Sequence, residues 1–502
     1  MEDSLDILLI DPPYCSLKGI PTDVGYNIGL TSLAAYLRQQ GFEAAVVMGD
    51  ILVDLPFMSA WGWFTVNLHK YAEGQQQYCT IVKDKDHPVW QKIAAIVREK
   101  QPKAVGIAYI TPLRDSVDRV ASIVKAVDHN IKVIAGSAHP TLCPEEVLQN
   151  PNIDLVVRGE GEIPLAGIAE QLSKGDLAWD KVPGIYYRDG HGRIISTPPP
   201  ALIPNLDELP FAARDAVLGC DYNRFRVHCL TTSRGCPYTC SFCSDRKLWG
   251  GKVRRRSVGN VIAELKYLEQ NYPVDVVDFS DGTFTYDRKY VEAFCEAIIK
   301  NKIGLRWRCT ARYDNLDENL LKIMKKANCG GLYLGAESGS DRILGQMDKK
   351  ITATQIKRVS KMINDAGLDS VTAILIGLPD ETKEDIEATL NLMKHLKTGI
   401  FDVSSFIPLP GTPAWEMIPD AERMDIDWGK VSYKSFDNYF LKNVSAEDFR
   451  KYMTKAYTIA GKAQRRTVIR LGLQMIINSL KFGKPNKRKP TSNSSNSSNI
   501  ST

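Results

Sequence analysis

Short apolar runs alternate with helical stretches twice along this chain, and that repeated period limits the fold more than any other feature. The first series opens with Asp6-Ile-Leu-Leu-Ile-Asp11, stopped by Pro12-Pro13. A helical stretch from Ile28 to Gln40 ends at Gly41, and a second strand follows from Ala44 to Met48. Ala104 to Tyr109, Ile131 to Ala135 and Leu155 to Val157 read as further strands, with Asp115 to Asp128 and Glu145 to Leu148 helical between them. Apolar runs bounded by Pro and Gly suit buried parallel strands, so the series predicts a doubly wound α/β sheet.

The second series begins near Cys229. Its candidate strands are His228 to Thr232, Val274 to Ser280, Arg306 to Thr310, Gly331 to Gly335, Ser370 to Ile376 and Asp402 to Phe406. Helical segments Val258 to Asn271, Lys289 to Lys300, Glu318 to Lys326, Thr354 to Asp365 and Lys383 to Leu396 separate most of them. Six such units predict a partial (β/α)6 barrel. The divisions expected are a first domain over 1–182, a Pro- and Gly-rich linker over 183–221, the barrel over 222–444, a helical region over 445–483 and a disordered tail over 484–502.

At 502 residues, with 44% hydrophobic and 25% charged, the chain has room for two ordinary cores. It has no apolar run long enough to span a membrane and no signal-like start, which predicts a cytoplasmic protein. The net charge of +5 is carried by residues 451–502, which hold eleven Lys/Arg and no Asp/Glu. The body is therefore slightly acidic, and nucleic acid is not an expected partner. In the basic helix, Ile469, Leu473, Ile476 and Leu480 form one stripe, which suits either packing on the barrel or peripheral contact with an anionic membrane.

One cysteine cluster carries chemistry. Cys236, Cys240 and Cys243 lie within eight residues, after an apolar strand, in a loop bent by Gly235 and Pro237. Soft thiolates at this spacing can hold an iron–sulfur cluster by three irons and leave the fourth open for a ligand. Structural zinc would call for a second Cys-x2-Cys pair, and none is present. The eleven cysteines otherwise lack the pattern of a secreted disulfide scaffold.

Cys-x3-Cys-x2-Cys with Phe242 before the last cysteine resembles the signature of the radical S-adenosylmethionine superfamily. Other segments are similar to that family's: Phe279-Ser-Asp281-Gly282-Thr-Phe284, whose backbone would receive the amino group of S-adenosylmethionine; Leu334-Gly-Ala-Glu337, with Glu337 facing the ribose; Ile376-Gly377-Leu-Pro379 beside the adenine; and Arg312 near the carboxylate. The bland readings are loop glycines and a strand-end salt bridge. The resemblance implies a [4Fe–4S] cluster, reductive cleavage of S-adenosylmethionine to a 5′-deoxyadenosyl radical, and an outside electron donor such as flavodoxin or ferredoxin.

The first domain is similar to the cobalamin-binding domain that precedes the barrel in one subgroup of this family. Asp11-Pro-Pro-Tyr14, Ala135-Gly136-Ser-Ala-His139-Pro-Thr141 and Val157-Arg-Gly159-Glu-Gly-Glu162 carry the likeness. Tyr14 is a candidate to face the corrin, and His139 to contact a nucleotide tail. The Asp-x-His-x-x-Gly loop that gives cobalt a histidine in other cobalamin proteins is absent, so no protein imidazole is expected on cobalt. Within the subgroup the expected reaction is methylation of an unactivated carbon in a small-molecule substrate. The alternatives are oxidative ring formation on a tetrapyrrole or lipid, because Ser233 to Trp249 also resembles an anaerobic oxidative cyclase, and a non-catalytic corrinoid sensor, which would have no use for the three cysteines. Arg254-Arg255-Arg256 reads first as a solvated charge run, and Cys309 and Cys329 as core.

Overall fold

The computed structural model describes residues 5–14, 27–52, 78, 82–175, 177–219, 227–424, 426–428 and 431–482. The tail from Lys484 and the side chains of Ile476 and Leu480 lie outside the described residues.

The first alternation folds as predicted into a parallel sheet. Its strands are β1 (Ile7–Asp11), β2 (Ala44–Met48), β3 (Ala104–Ala108), β4 (Lys132–Gly136) and β5 (Leu155–Val157), joined by β6 (Ile185–Arg188) and β7 (Ile194–Ser196) in the order β2-β1-β3-β4-β5-β6-β7. β6 pairs antiparallel with β5, and β7 with β6. The segment read as a linker thus begins with a hairpin that extends the first sheet. Its strands are only four and three residues long, too short for alternation to be visible beside so much Pro and Gly.

Helices cover both faces, as an all-buried parallel sheet requires. One core layer joins Leu8, Ile10 and Val105 to Trp90, Ile93, Val117 and Val124, and the other joins Ile7, Leu9 and Val46 to Leu30, Leu37 and Ile168. The helix Pro88–Lys100 supplies Trp90 and Ile93; sequence reading passed over it, although Val89, Trp90, Ile93, Ala94 and Val97 make a legible buried stripe.

The second alternation gives six parallel strands, β8 (Val227–Leu230), β11 (Val276–Phe279), β12 (Arg306–Ala311), β13 (Cys329–Glu337), β14 (Asp369–Ile376) and β15 (Ile400–Ser405), in the order β15-β14-β13-β12-β11-β8. β8 and β15 do not pair, so the barrel stays open as expected. A separate ladder, β9 (Ser233–Arg234) against β10 (Arg254–Arg255), brackets the cysteine loop.

Phe279, Phe284, Phe294 and Trp307 pack edge to face or stacked at 5.1–5.9 Å under the end of β11, and so fix the segment that follows it. Cys309 and Cys329 are buried, as read. The long helix Ala446–Phe482 lies along β15: Tyr457 Oη donates to Val403 O at 3.2 Å, Thr467 Oγ1 to Gly399 O at 2.9 Å, and Arg470 pairs with Asp369 at 2.5 Å. No helix among the described residues is long and apolar enough to cross a membrane.

Candidate functional site

The three thiols sit beyond β8 and β9 at the carboxyl end of the half-barrel, each half-buried. Two glycines allow the loop to lie there. Gly235 has φ +99°, and a Cβ on it would fall 2.0 Å from Lys252 O. A Cβ on Gly282 would come 3.2 Å from Cys236 Cβ and 2.8 Å from Asp245 Oδ2, so a larger residue there would have to push the loop or Asp245 aside.

Asp281 locks that approach. Its buried carboxylate accepts from Thr232 N at 3.0 Å, Thr232 Oγ1 at 3.0 Å and Ser233 Oγ at 2.5 Å. Its main-chain oxygen accepts from Thr310 Oγ1 at 2.7 Å. The Asp281 side chain is therefore an anchor between strand ends, and the neighbouring backbone faces the cysteines.

Charges of both signs surround the thiols. Burial, then Asp245 and the two other thiols, push the Cys243 thiol up to about 12. Burial, the largest cause, also pushes the Cys240 thiol up, and thiols held protonated in this way are a donor set a metal cluster resolves, since coordination deprotonates them. On the other side, Arg312 Nη1 lies 3.6 Å from Cys240 Sγ, and its guanidinium sits 3.8 Å over the Tyr238 ring. Arg312 also grips Asp314 at 2.8 and 2.9 Å and Lys349 O at 2.5 Å. Glu337, at φ +63° on a bulge of β13, is 3.1 Å from Lys349 Nζ. The residues present thus fit an iron–sulfur cluster.

The turn after β14 lies at the same end of the barrel. Gly377 N donates to the buried Glu381 at 2.5 Å, Gly377 O accepts from Asn438 Nδ2 at 2.9 Å, and Pro379 O from Lys442 N at 3.0 Å. Tyr238, at a position the cysteine spacing leaves free, and Asp245, two residues past Cys243, were not singled out in the sequence, and only the tertiary fold brings Lys349 to the cysteines.

A cavity of about 550 Å³ lies between the carboxyl ends of the two sheets. Gly106, Ala108, Gly136, Thr141 and Gly159 form one wall, and Gly235, Leu248, Trp249, Asp281 and Gly282 are on the other. A wall of small residues at parallel strand ends is what a broad, flat cofactor needs. No histidine lines this cavity among the described residues.

Gly136, Thr141 and Gly159 line this cavity, and three other candidates do not. His139 is fully buried, stacked on Tyr109 at 4.6 Å with Nδ1 3.2 Å from Thr111 Oγ1. Burial and nearby Arg114 hold its pKa down to about 3, so it is a neutral core histidine and does not touch a cofactor tail. Tyr14 points to Tyr78, ring centroids 5.4 Å apart, and its N–H donates to Asp50 at 2.8 Å. Asp11, pushed up to about 7 by burial and Asp50, lines no part of the cavity. Between them, Pro13 O accepts from Ser116 Oγ at 2.9 Å, which ties the stretch to the helix Arg114–Val127.

A parallel half-barrel with three thiols at its carboxyl end thus faces a doubly wound domain across one cavity. Residues 230–393 match the radical SAM superfamily model and residues 66–169 the B12 binding domain model. An uncharacterized methyltransferase of Pyrococcus horikoshii is 34% identical over 459 residues, covering 90% of this chain and 92% of that protein. The anaerobic magnesium-protoporphyrin IX monomethyl ester cyclase of Rubrivivax gelatinosus is 30% identical over 68% of this chain and 62% of that protein. The radical S-adenosylmethionine methyltransferase TsrM from Kitasatospora setae, solved with cobalamin and a [4Fe–4S] cluster, shares the fold at TM-score 0.62 and 18% identity, over 90% of this chain and 85% of that one.

The chain belongs to the radical S-adenosylmethionine superfamily, in the group that carries a B12-binding domain. It is an enzyme whose cofactors are a [4Fe–4S] cluster, S-adenosylmethionine and cobalamin.

Proposed function

We propose that the protein methylates an unactivated carbon of a small-molecule substrate, and that the cavity between the sheets is where the cofactors and substrate meet. The observation that carries this reading is the shared cavity: the cobalamin-domain strand ends and the segments flanking the cysteine loop form its opposite walls. Bound together, the cluster and S-adenosylmethionine supply a hydrogen-abstracting radical, and cobalamin supplies a transferable methyl group.

The chain's own residues do the rest. Cys236, Cys240 and Cys243 hold the cluster, and Arg312 and Lys349 offset the negative charge of the thiolates. The backbone at Gly282 takes the amino group of S-adenosylmethionine, Arg312 its carboxylate, Glu337 the ribose hydroxyls, and the Gly377–Pro379 turn the adenine. Leu248 and Trp249 give the barrel side of the cavity its apolar lining.

A flavodoxin or ferredoxin supplies the electron in this reading. The exposed Ile469 and Leu473, beside exposed Arg465 and Arg466, suit the surface of an anionic membrane. Oxidative ring formation stands as the second reading because a cyclase is among the relatives.

Anaerobic turnover of candidate tetrapyrroles, lipids and natural-product precursors, followed by mass spectrometry, separates the two. Gain of a methyl group supports methylation. Loss of hydrogen with no carbon gained would overturn it in favour of ring formation.

A further inference from the structure

Two carboxylates that line the cavity are also the handle on the cysteine loop. Glu160, in the loop after β5, and Glu162, which opens the helix Glu162–Lys174, are 6% and 3% exposed, and both border the cavity. Arg234, two residues before Cys236, donates Nη1 to Glu160 at 2.6 Å and Nη2 to Glu162. Arg254, directly across the β9–β10 ladder from Arg234, donates to both oxygens of Glu160 at 2.9 and 3.0 Å. The same Arg254 reaches Ile203 O at 2.7 Å, and Ile203 N donates to Glu160 at 2.9 Å. Three segments far apart in sequence therefore converge on one carboxylate.

The Arg254-Arg255-Arg256 run is accordingly no solvated stretch. Arg254 is in this network, Arg255 lies 4.7 Å over Tyr290, and Arg256 pairs with Glu264 at 2.6 Å. Glu264 in turn holds the fully buried Arg214 at 3.0 Å.

Energetics argue that the network serves geometry. Burying two carboxylates and two guanidiniums costs desolvation that their attraction roughly repays, so such clusters add little net stability over apolar packing. What they add is direction: each guanidinium fork accepts only a narrow range of carboxylate positions. Burial works against ionisation of Glu160, yet Arg254 and Arg234 hold its carboxyl below the usual range, so Glu160 is charged at neutral pH.

We infer that Glu160, Glu162, Arg234 and Arg254 form a positioning clamp that fixes the cysteine loop against the cobalamin-binding wall and so sets the separation of the two cofactors. This rests on the two-cofactor reading above. The clamp residues are positioning residues. They act by holding the first cysteine in register with the far wall, and because Glu160, Glu162 and Arg234 line the cavity, a ligand there presses directly on the clamp.

The test loads the full chain anaerobically with cluster and cobalamin and compares the spin relaxation of cob(II)alamin with the cluster oxidised and reduced. Two paramagnets at a fixed separation couple, so in the wild type reduction of the cluster speeds the relaxation of the cobalt signal. In Arg234→Gln and Glu160→Gln that enhancement falls, while iron and cobalamin per chain stay at wild-type values. With substrate in hand, methyl transfer drops by about a hundredfold for a displacement near 1 Å while formation of 5′-deoxyadenosine persists. Arg234→Lys, which keeps the charge and loses the fork, gives an intermediate loss. If Arg234→Gln does not fold, Glu162→Gln removes one grip only and shows the smaller fall. Unchanged enhancement in Glu160→Gln and Glu162→Gln, with both cofactors bound, overturns the clamp alone. A wild type that takes up no cobalamin overturns the two-cofactor reading and the clamp with it.

Discussion

The two parallel sheets end at one cavity but build their walls from different material. The N-terminal sheet offers backbone and small residues, Gly106, Ala108, Gly136 and Gly159, and no histidine among the described residues. The half-barrel lines the cavity with Gly235, Leu248, Trp249, Asp281 and Gly282, and behind that lining carries side chains with chemistry: three thiols, Arg312 beside Cys240, and Glu337 joined to Lys349. A large planar cofactor is held by shape, which any small residue can supply, whereas a cluster is held by particular donor atoms. The same contrast explains why one site was plain in the sequence and the other was not.

The sharpest way to break the comparison is Cys240→Ala. The barrel wall should lose its cluster altogether, with iron falling from ~4 per chain to background and cleavage of S-adenosylmethionine abolished. Cobalamin should still bind, because no thiol among the described residues lines the opposite wall. Iron analysis and cobalamin absorbance on the same sample check both halves, and loss of both cofactors together would count against independent walls.

The converse change is Gly136→Leu. A Cβ there would meet nothing nearer than Val157 Cβ at 3.9 Å, so the fold tolerates it and the rest of the side chain enters the cavity. Overpacking of about 1–3 kcal/mol should weaken cobalamin binding roughly 5- to 100-fold with iron content unchanged. Equilibrium dialysis reads the affinity; wild-type binding would mean that this wall does not hold the corrin.

A smaller effect tests the barrel's turn. Glu381 is fully buried, and burial pushes its carboxyl up to about 8, against hydrogen bonds from the backbone at Gly377 and Leu378 that pull it down. The native state therefore keeps a proton that the unfolded chain releases in the usual carboxylate range. Stability should be full below that range, fall as pH rises toward about 8, and then level off. Glu381→Gln should flatten the decline, read as denaturant midpoints across the neutral range; an equal slope in wild type and variant would show that Glu381 is not the group responsible.

Smallest of all should be the removal of Lys484 to Thr502. Cluster content, cobalamin binding and S-adenosylmethionine cleavage are all expected to stay at wild-type values, and loss of cleavage would bring the tail into the active site. Removing Arg465 to Thr502 instead should release the protein from anionic vesicles, and unchanged binding would leave the membrane contact unsupported.

How much of this was legible follows the same division. The cysteine loop and most barrel strands could be read because donor atoms at fixed spacing and apolar runs are local signals; Gly331 to Gly335 was short only at its ends, the strand running Cys329–Glu337. His139 and Tyr14 were placed wrongly because their neighbours in space, Thr111, Tyr109 and Tyr78, are set by packing. The two-residue ladder of β9 and β10 has no period at all, so neither the Arg234–Arg254 clamp nor the burial of the arginine run could be inferred. Lys349 follows an ordinary helix, and only the return of the chain toward Cys240 gives it a role.

The central claim is that one chain holds a cluster and a cobalamin on facing walls of one cavity. Metal analysis of the anaerobically reconstituted protein, with both cofactors supplied, tests it most directly, together with the electron paramagnetic resonance of its cob(II)alamin state. The account predicts ~4 irons and about one cobalt per chain, with no nitrogen superhyperfine splitting from an axial histidine. Stoichiometric zinc in place of iron, or a cobalt signal split by a protein imidazole, would contradict it.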